Sequence, residues 1–289
     1  MRSAFVTTVL SFLSYVLLVT AFPNPGYVTG DISVHDPSIC RDSEGTYFLF
    51  CESGFICLLV GKVPLTDAWL FSHGPAYFSV GIPIRTSTDR TTWTLIGTVW
   101  ESKQANWTEP FMGGPDKSLW APDCTYRNGE FYLYYAASQS RKFHSAIFFA
   151  KSTTGQPKSW VHQGIVLSTE EDSSFNAIDP NLVITEKTHN KKSEWWMVFG
   201  SFRDGIKLVQ LDPGTGKPIN SNSNSYHSLA KRTGKFYSGI TGPYKDKAGV
   251  PLLSGGGTLI LGTHKDIIGP GGQHLFLDVD DWIIDYRGC

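Results

Sequence analysis

The sequence predicts an all-β chain built as a propeller. Three observations lead there. Its 289 residues include 13% aromatic side chains, 29 Gly and 16 Pro, a mixture rich in strand and turn formers. Short aromatic and β-branched runs recur at Thr46–Phe50, Glu130–Ala136, Glu194–Gly200 and Asp281–Tyr286, each flanked by turn residues. A second kind of segment alternates with them, at Ile82–Gly97, Ile147–Gly164, Ile206–Pro218 and Phe236–Gly249, and each reads as strand, polar turn, strand. Repeats of this length in an all-β chain suggest propeller blades.

At the N-terminus, Arg2 precedes an apolar run from Phe5 to Val19 that ends at the small residue Ala21. That is the shape of a secretory signal, so residues 1–21 are expected to be removed and 22–289 to form one domain. The stretch Gly54–Val80 follows the first aromatic run, lacks alternation and reads as an insertion. Segments of the second kind begin at residues 82, 147, 206 and 236, so two steps of about 60 residues are followed by one of half that length. An inner strand pair is therefore expected to be missing between Ile206 and Phe236. The chain stops at Cys289 soon after Trp282–Tyr286, and the strands that would close the ring are expected to be absent.

Composition excludes several classes. The 25 basic and 26 acidic residues nearly cancel, leaving no sequence-wide attraction to nucleic acid or anionic membrane. With 41% hydrophobic and 18% charged residues the chain is too apolar for intrinsic disorder. Gly255-Gly256-Gly257 and Gly269-Pro270-Gly271-Gly272 lack the context of a phosphate loop and read as turns. No G-x-S-x-G elbow occurs, and the 8 His form no H-x-x-x-H pair that would suit structural zinc. The 5 Cys follow no metal-ligand spacing; in an oxidising compartment they allow one or two disulfides, with the pairing open. Asn106-Trp107-Thr108 is a glycosylation sequon suited to a secreted surface loop.

Three aspartates stand beside proline in apolar surroundings: Asp36 in VHDPSI, Asp123 in LWAPD and Asp179 in NAIDPNLV. Each precedes an aromatic run by a similar interval, which places the three at one equivalent position in successive blades, facing the central channel. A single Asp-Pro is ordinary turn chemistry. Three at equivalent places point to a sugar-cleaving site, where one carboxylate activates water and another tunes or donates a proton.

Together with WWMVFGSF, GIKLVQLDPGTGKP, GITGPY, SGGGT and IGPGGQ, these motifs resemble glycoside hydrolase family 43, and within it the fungal endo-1,5-α-L-arabinanases. The similarity runs over about residues 24–54, 81–226 and 231–286. It implies a five-bladed β-propeller and an inverting, endo-acting hydrolase of linear α-1,5-arabinan in plant cell-wall pectin. By that resemblance Asp36 is the general base and Asp179 the carboxylate that raises and orients the acid. Trp120 and Asp123 resemble the cleft wall, and Asn176, Ala177, Ile178, Ser201 and Phe202 resemble sugar-contacting residues. The implied partner is the arabinan chain alone, bound by a secreted, extracellular monomer without nucleic acid, membrane or cofactor.

The sequence departs from the family in several places. The general acid is a Glu in a Glu-Ala-Pro-like motif, yet no Glu follows Glu194, and the gap falls between Tyr226 and Phe236, where the half-length step also lies. General acid assistance supplies about 10²–10⁴-fold, so little or no hydrolysis is expected of the chain as written. A catalytically dead arabinan binder is one alternative, and an exo-acting arabinofuranosidase or xylosidase is another. Where many relatives hold a central calcium through a His after Gly-Pro-Gly, Gly272 stands here; no calcium is expected, and His274 is no secure substitute. Arg203 occupies the place of a sugar-stacking Trp.

Overall fold

A computed structural model describes residues 27–59, 81–139, 142–185, 192–201, 204–220, 225–230, 244–259, 263, 271–280 and 282–288. The architecture is a β-propeller, seen here as three sheets and a C-terminal hairpin. The first sheet contains β1 (Thr29–Gly30), β2 (Ser33–Arg41), β3 (Tyr47–Leu59), β4 (Pro83–Ser87) and β5 (Thr92–Thr98). The second is a four-stranded meander of β6 (Trp120–Arg127), β7 (Glu130–Ala137), β8 (Ser145–Ser152) and β9 (Val161–Thr169). The third runs β10 (Asn181–Ile184), β11 (Trp195–Ser201), β12 (Gly205–Asp212), β13 (Lys217–Pro218), with β14 (His227–Ala230) also paired to β12. The hairpin β15 (Gly271–Leu277) and β16 (Trp282–Gly288) adds to the first sheet through β3. Among the described residues the one α-helix, α1 (Glu109–Met112), is four residues long and lies in the connection between the first two sheets.

The aromatic runs become the second strands of their sheets because both of their faces are covered. On β7, Phe131, Leu133 and Tyr135 pack with Phe48, Phe50 and Ile84 of the first sheet. The alternate residues Tyr132 and Tyr134 pack with Trp195, Met197 and Phe199 of the third. A strand buried on both sides reads as a continuous apolar run, which is what EFYLYYAA is. On β3, Tyr47, Leu49 and Cys51 face a third cluster with Val34 and Trp93, against which Phe276 of β15 packs.

The insertion expected at Gly54–Val80 begins later than its sequence suggests. Gly54–Leu59 continues β3, pairing Cys57 with Val34 and Leu58 with Ser33; residues 60–80 lie outside the described residues. β14 lies within the shortened step and docks on β12, adding to the third sheet. Residues 231–243, where the missing acid is expected, lie outside the described residues, as do 1–26 with the expected signal. The C-terminal hairpin is joined directly to the first sheet. Arg287 pairs with Leu59 and Gly288 with Leu58. Arg90 donates to Asp278 and to Asp280 at 2.7 Å, and the Tyr47 hydroxyl donates to the buried Asp278 at 2.8 Å.

Candidate active site

Each inner strand breaks at a residue–proline step. On β2 the register passes from His35 opposite Glu52 to Ser38 opposite Phe50, so Asp36 and Pro37 together face Cys51. On β6 it passes from Trp120 opposite Ala136 to Asp123 opposite Tyr134, so Ala121 and Pro122 face Tyr135. Before β10, the Gly200 N–H donates to the Ile178 carbonyl and Asn181 pairs with Val198, leaving Asp179 and Pro180 against Phe199. The residue before each proline is left-handed, with φ of +43° at Asp36, +39° at Ala121 and +54° at Asp179. Such a conformation costs a non-glycine residue about 1–3 kcal/mol, and proline further restricts its predecessor. Two-against-one bulges re-aim side chains, and here they turn the Asp36 and Asp179 carboxylates off the sheet ladder.

This geometry corrects the expected equivalence of three aspartates. The counterpart of Asp36 and Asp179 in the second sheet is Ala121, and Asp123 lies two residues further on, in register with Ser38 and Asn181. Asp123, expected in the cleft wall, is a buried side chain. It is 3% exposed, accepting from Asn181 Nδ2 at 2.8 Å and from the Leu182 N–H at 2.7 Å. Its carboxylate holds the second sheet to the third.

Asp36 does not stand alone. His35 Nδ1 lies 3.4 Å from Asp36 Oδ2 and 3.3 Å from Oε2 of Glu52, a buried residue of β3. Burial disfavours the charged imidazole, but the hydrogen bonds and charges of Asp36 and Glu52 outweigh it and push His35 up to about 9. Burial likewise raises the Glu52 carboxyl, opposed by His35 and by the Ala121 N–H. Asp179 is exposed to solvent, yet its carboxyl has much protein around it. The resulting desolvation, followed by the charges of Asp36 and Glu52, pushes it up to about 7. The site thus sets one carboxylate, Asp36, beside an imidazolium and holds a second carboxyl, Asp179, that keeps its proton near neutrality.

The other expected contacts divide. Trp120 and Ile178 are partly exposed, whereas Asn176 and Ala177 are buried. The buried Oδ1 of Asn176 and Oγ of Ser201 have no hydrogen-bond partner among the described residues. Phe202 and Arg203 lie outside those residues. Asn106 is exposed, in a 3-10 turn at Asn106–Thr108. Cys40 and Cys124 form a disulfide that ties β2 to β6, and Cys51 is free and buried.

Sequence reasoning passed over Glu52 and Arg85. The buried Arg85 guanidinium donates to the Ser33 carbonyl at 2.7 Å and to Cys51 Sγ at 3.1 Å, underpinning β2. No spacing signals either residue, although a Glu and an Arg inside aromatic and β-branched runs are the cue that was available.

His35, Asp36 and Glu52 each present one ligand-type atom, all within 4.8 Å of one another. Protonated His35 offers no lone pair there and already serves as the cation between the two carboxylates. Calcium prefers about six to eight oxygen ligands, and this set does not fit it.

The model of glycosyl hydrolases family 43 matches residues 28–239, a span containing Asp36, Asp123 and Asp179. The chain is 30% identical over 253 residues to the extracellular endo-alpha-(1->5)-L-arabinanase 1 of Bacillus subtilis (strain 168), covering 73% of this chain and 76% of that relative. It is 29% identical over 306 residues to the arabinan endo-1,5-alpha-L-arabinosidase A of Aspergillus niger, covering 90% and 83%. The solved GH43 endo-arabinanase from Bacillus licheniformis superposes with a TM-score of 0.67 at 27% identity, covering 91% of this chain and 96% of that one.

Proposed function

The chain belongs to glycosyl hydrolase family 43, and from that premise we propose that it is a secreted, endo-acting and inverting hydrolase of linear α-1,5-arabinan. The pair of left-handed corners carries the reading: Asp36 beside the His35 imidazole, and Asp179 with its proton held to about 7. Water attacks the anomeric carbon while Asp36 takes its proton. The glycosidic C–O bond breaks, and the leaving oxygen takes the proton of Asp179. Glu52 does not replace the absent acid, because it is 6% exposed behind His35 and does not reach a bound sugar. The proton therefore falls to Asp179, where the sequence expects only a tuning role. Asn176 Oδ1 and Ser201 Oγ, without partners among the described residues, suit sugar hydroxyls, and the half-buried Trp120 suits a sugar face. The disulfide and the exposed Asn106 sequon fit an extracellular protein.

The test is product analysis of the purified chain on debranched arabinan. Oligosaccharides released with a rapid fall in viscosity, and loss of about 10²–10⁴-fold in kcat in both Asp36→Asn and Asp179→Asn, are expected. Arabinan retardation in an affinity gel without any product would reduce the protein to a binder. Release of arabinose alone would make it exo-acting, and an unaffected Asp179→Asn would remove Asp179 from the acid role.

A further inference from the structure

Glu52 occupies a position that the other sheets fill with the smallest residues. Its register partner is His35 on β2; the matching residue opposite Trp120 is Ala136, and the one bonded to Ile178 is Gly200. A carboxylate there, 6% exposed and following the apolar run Tyr47–Cys51, is costly unless it is paired. It is paired twice. His35 Nδ1 lies 3.3 Å from it, and the N–H of Ala121, the left-handed corner of the neighbouring sheet, donates to it.

We propose that Glu52 is a positioning residue: gripped by His35 and by the Ala121 N–H, its carboxylate fixes the imidazole against which Asp36 is set. This rests on reading Asp36 as the base. Three things follow from one side chain. Both carboxylates approach the same ring nitrogen, Nδ1, so the pull of Glu52 keeps that nitrogen on the side where Asp36 lies. The bulge of β2 is tied to the bulge of β6. The negative charge that keeps His35 protonated also raises Asp179, so one side chain supports both the imidazolium beside Asp36 and the proton on Asp179. The groups that act on His35 are Asp36 from β2, Glu52 and Cys51 from β3 and Asp179 from the corner before β10, while Asp123 of β6 and His274 of β15 are engaged with each other. Asp123 and His274 stand 3.8 Å from each other, and Cys51 is engaged by Arg85.

The experiment is an NMR titration of the histidines in the full chain, with His35 assigned by its loss in His35→Gln, run beside the pH profile of arabinan hydrolysis. In the wild type His35 titrates near 9. Glu52→Gln keeps the size and an acceptor for Ala121 while removing the charge. Its His35 titration falls by about one pH unit or more, and the alkaline limb of the kcat/KM profile, set by the proton of Asp179, moves to lower pH. A Glu52→Gln protein with lower activity but an unmoved His35 titration and an unmoved alkaline limb would make Glu52 merely structural and overturn the proposal. A wild-type His35 that titrates near 6.5, the ordinary value, would overturn it with no variant needed. If the wild type releases no sugar, the hydrolase reading fails, while the His35 titration still decides the role of Glu52.

Discussion

The backbone N–H of Ile39 donates to Nδ1 of His274 at 3.3 Å, joining residues 235 apart in the chain. The same bond recurs around the molecule. The Cys124 N–H donates to Ser38 Oγ at 2.9 Å, and the Leu182 N–H to Asp123 Oδ2 at 2.7 Å. Ile39, Cys124 and Leu182 are register equivalents, each next to the residue where the ladder resumes after its bulge. The inner strands β2, β6 and β10 are sheet edges, so their outward N–H groups need partners from elsewhere. One side chain from the neighbouring sheet or hairpin supplies each of these three.

His274→Ala leaves the Ile39 N–H without its acceptor in a buried place, at a cost of about 1–3 kcal/mol. For a chain of this size that lowers Tm by about 2–4 °C per kcal/mol. Thermal unfolding followed by circular dichroism checks it. His274→Gln, which keeps an acceptor, loses less, and a His274→Ala protein as stable as the wild type would show that the bond carries no weight.

Much of this architecture was legible in the sequence, and the illegible part has a physical pattern. The runs at Glu130–Ala136 and Glu194–Gly200 fall on β7 and β11 almost residue for residue, because a strand covered on both faces must be apolar throughout. The Asp-Pro corners were visible as unusual residues in apolar context. Their equivalence was misread because a bulge sets two residues against one, and counting along the chain cannot see where it falls. Asp123 was aligned with Asp36 through its nearby proline, although Ala121 holds that corner. Glu52 and His274 act through partners far away in sequence or across a ladder, and no local pattern records such contacts.

The Cys40–Cys124 disulfide closes a loop of 84 residues and ties the strands bearing Asp36 and Asp123. Constraining the unfolded chain over such a loop is worth about 2–5 kcal/mol. The Cys40→Ser/Cys124→Ser pair is expected to lower the unfolding free energy by that amount and to raise m, since the unfolded chain without the cross-link is more expanded, and the urea midpoint falls accordingly. A midpoint equal to that of the oxidised wild type would deny the bridge a stabilising role.

Ala121 holds a left-handed corner with a Cβ and no compensating polar side chain. The conformation costs an L-residue roughly 1–2 kcal/mol that glycine avoids, although glycine gives back part of the gain through the freer unfolded chain. Ala121→Gly is therefore expected to stabilise the protein by about 0.5–1 kcal/mol in urea unfolding, with the N–H bond to Glu52 kept. A loss of stability would mean that the methyl group packs usefully enough to outweigh the strain.

Asp179 should show its function as a stability defect that depends on pH. Its carboxyl is pushed up to about 7 by desolvation and by the charges of Asp36 and Glu52, whereas in the unfolded chain it titrates near 3.9. Below about pH 4 both states are protonated and the site costs the native state nothing. Between about 4 and 7 the unfolded state ionises first, so stability falls as pH rises; above about 7 the loss is complete. Asp179→Asn removes the ionisation while keeping the shape. The variant is expected to be more stable than the wild type near pH 8, with the difference fading near pH 4, while arabinan hydrolysis collapses at both. Urea unfolding at the two pH values reads this directly. An equal gain at both would assign the effect to packing rather than charge, and no gain near pH 8 would mean that Asp179 ionises freely and holds no proton to give.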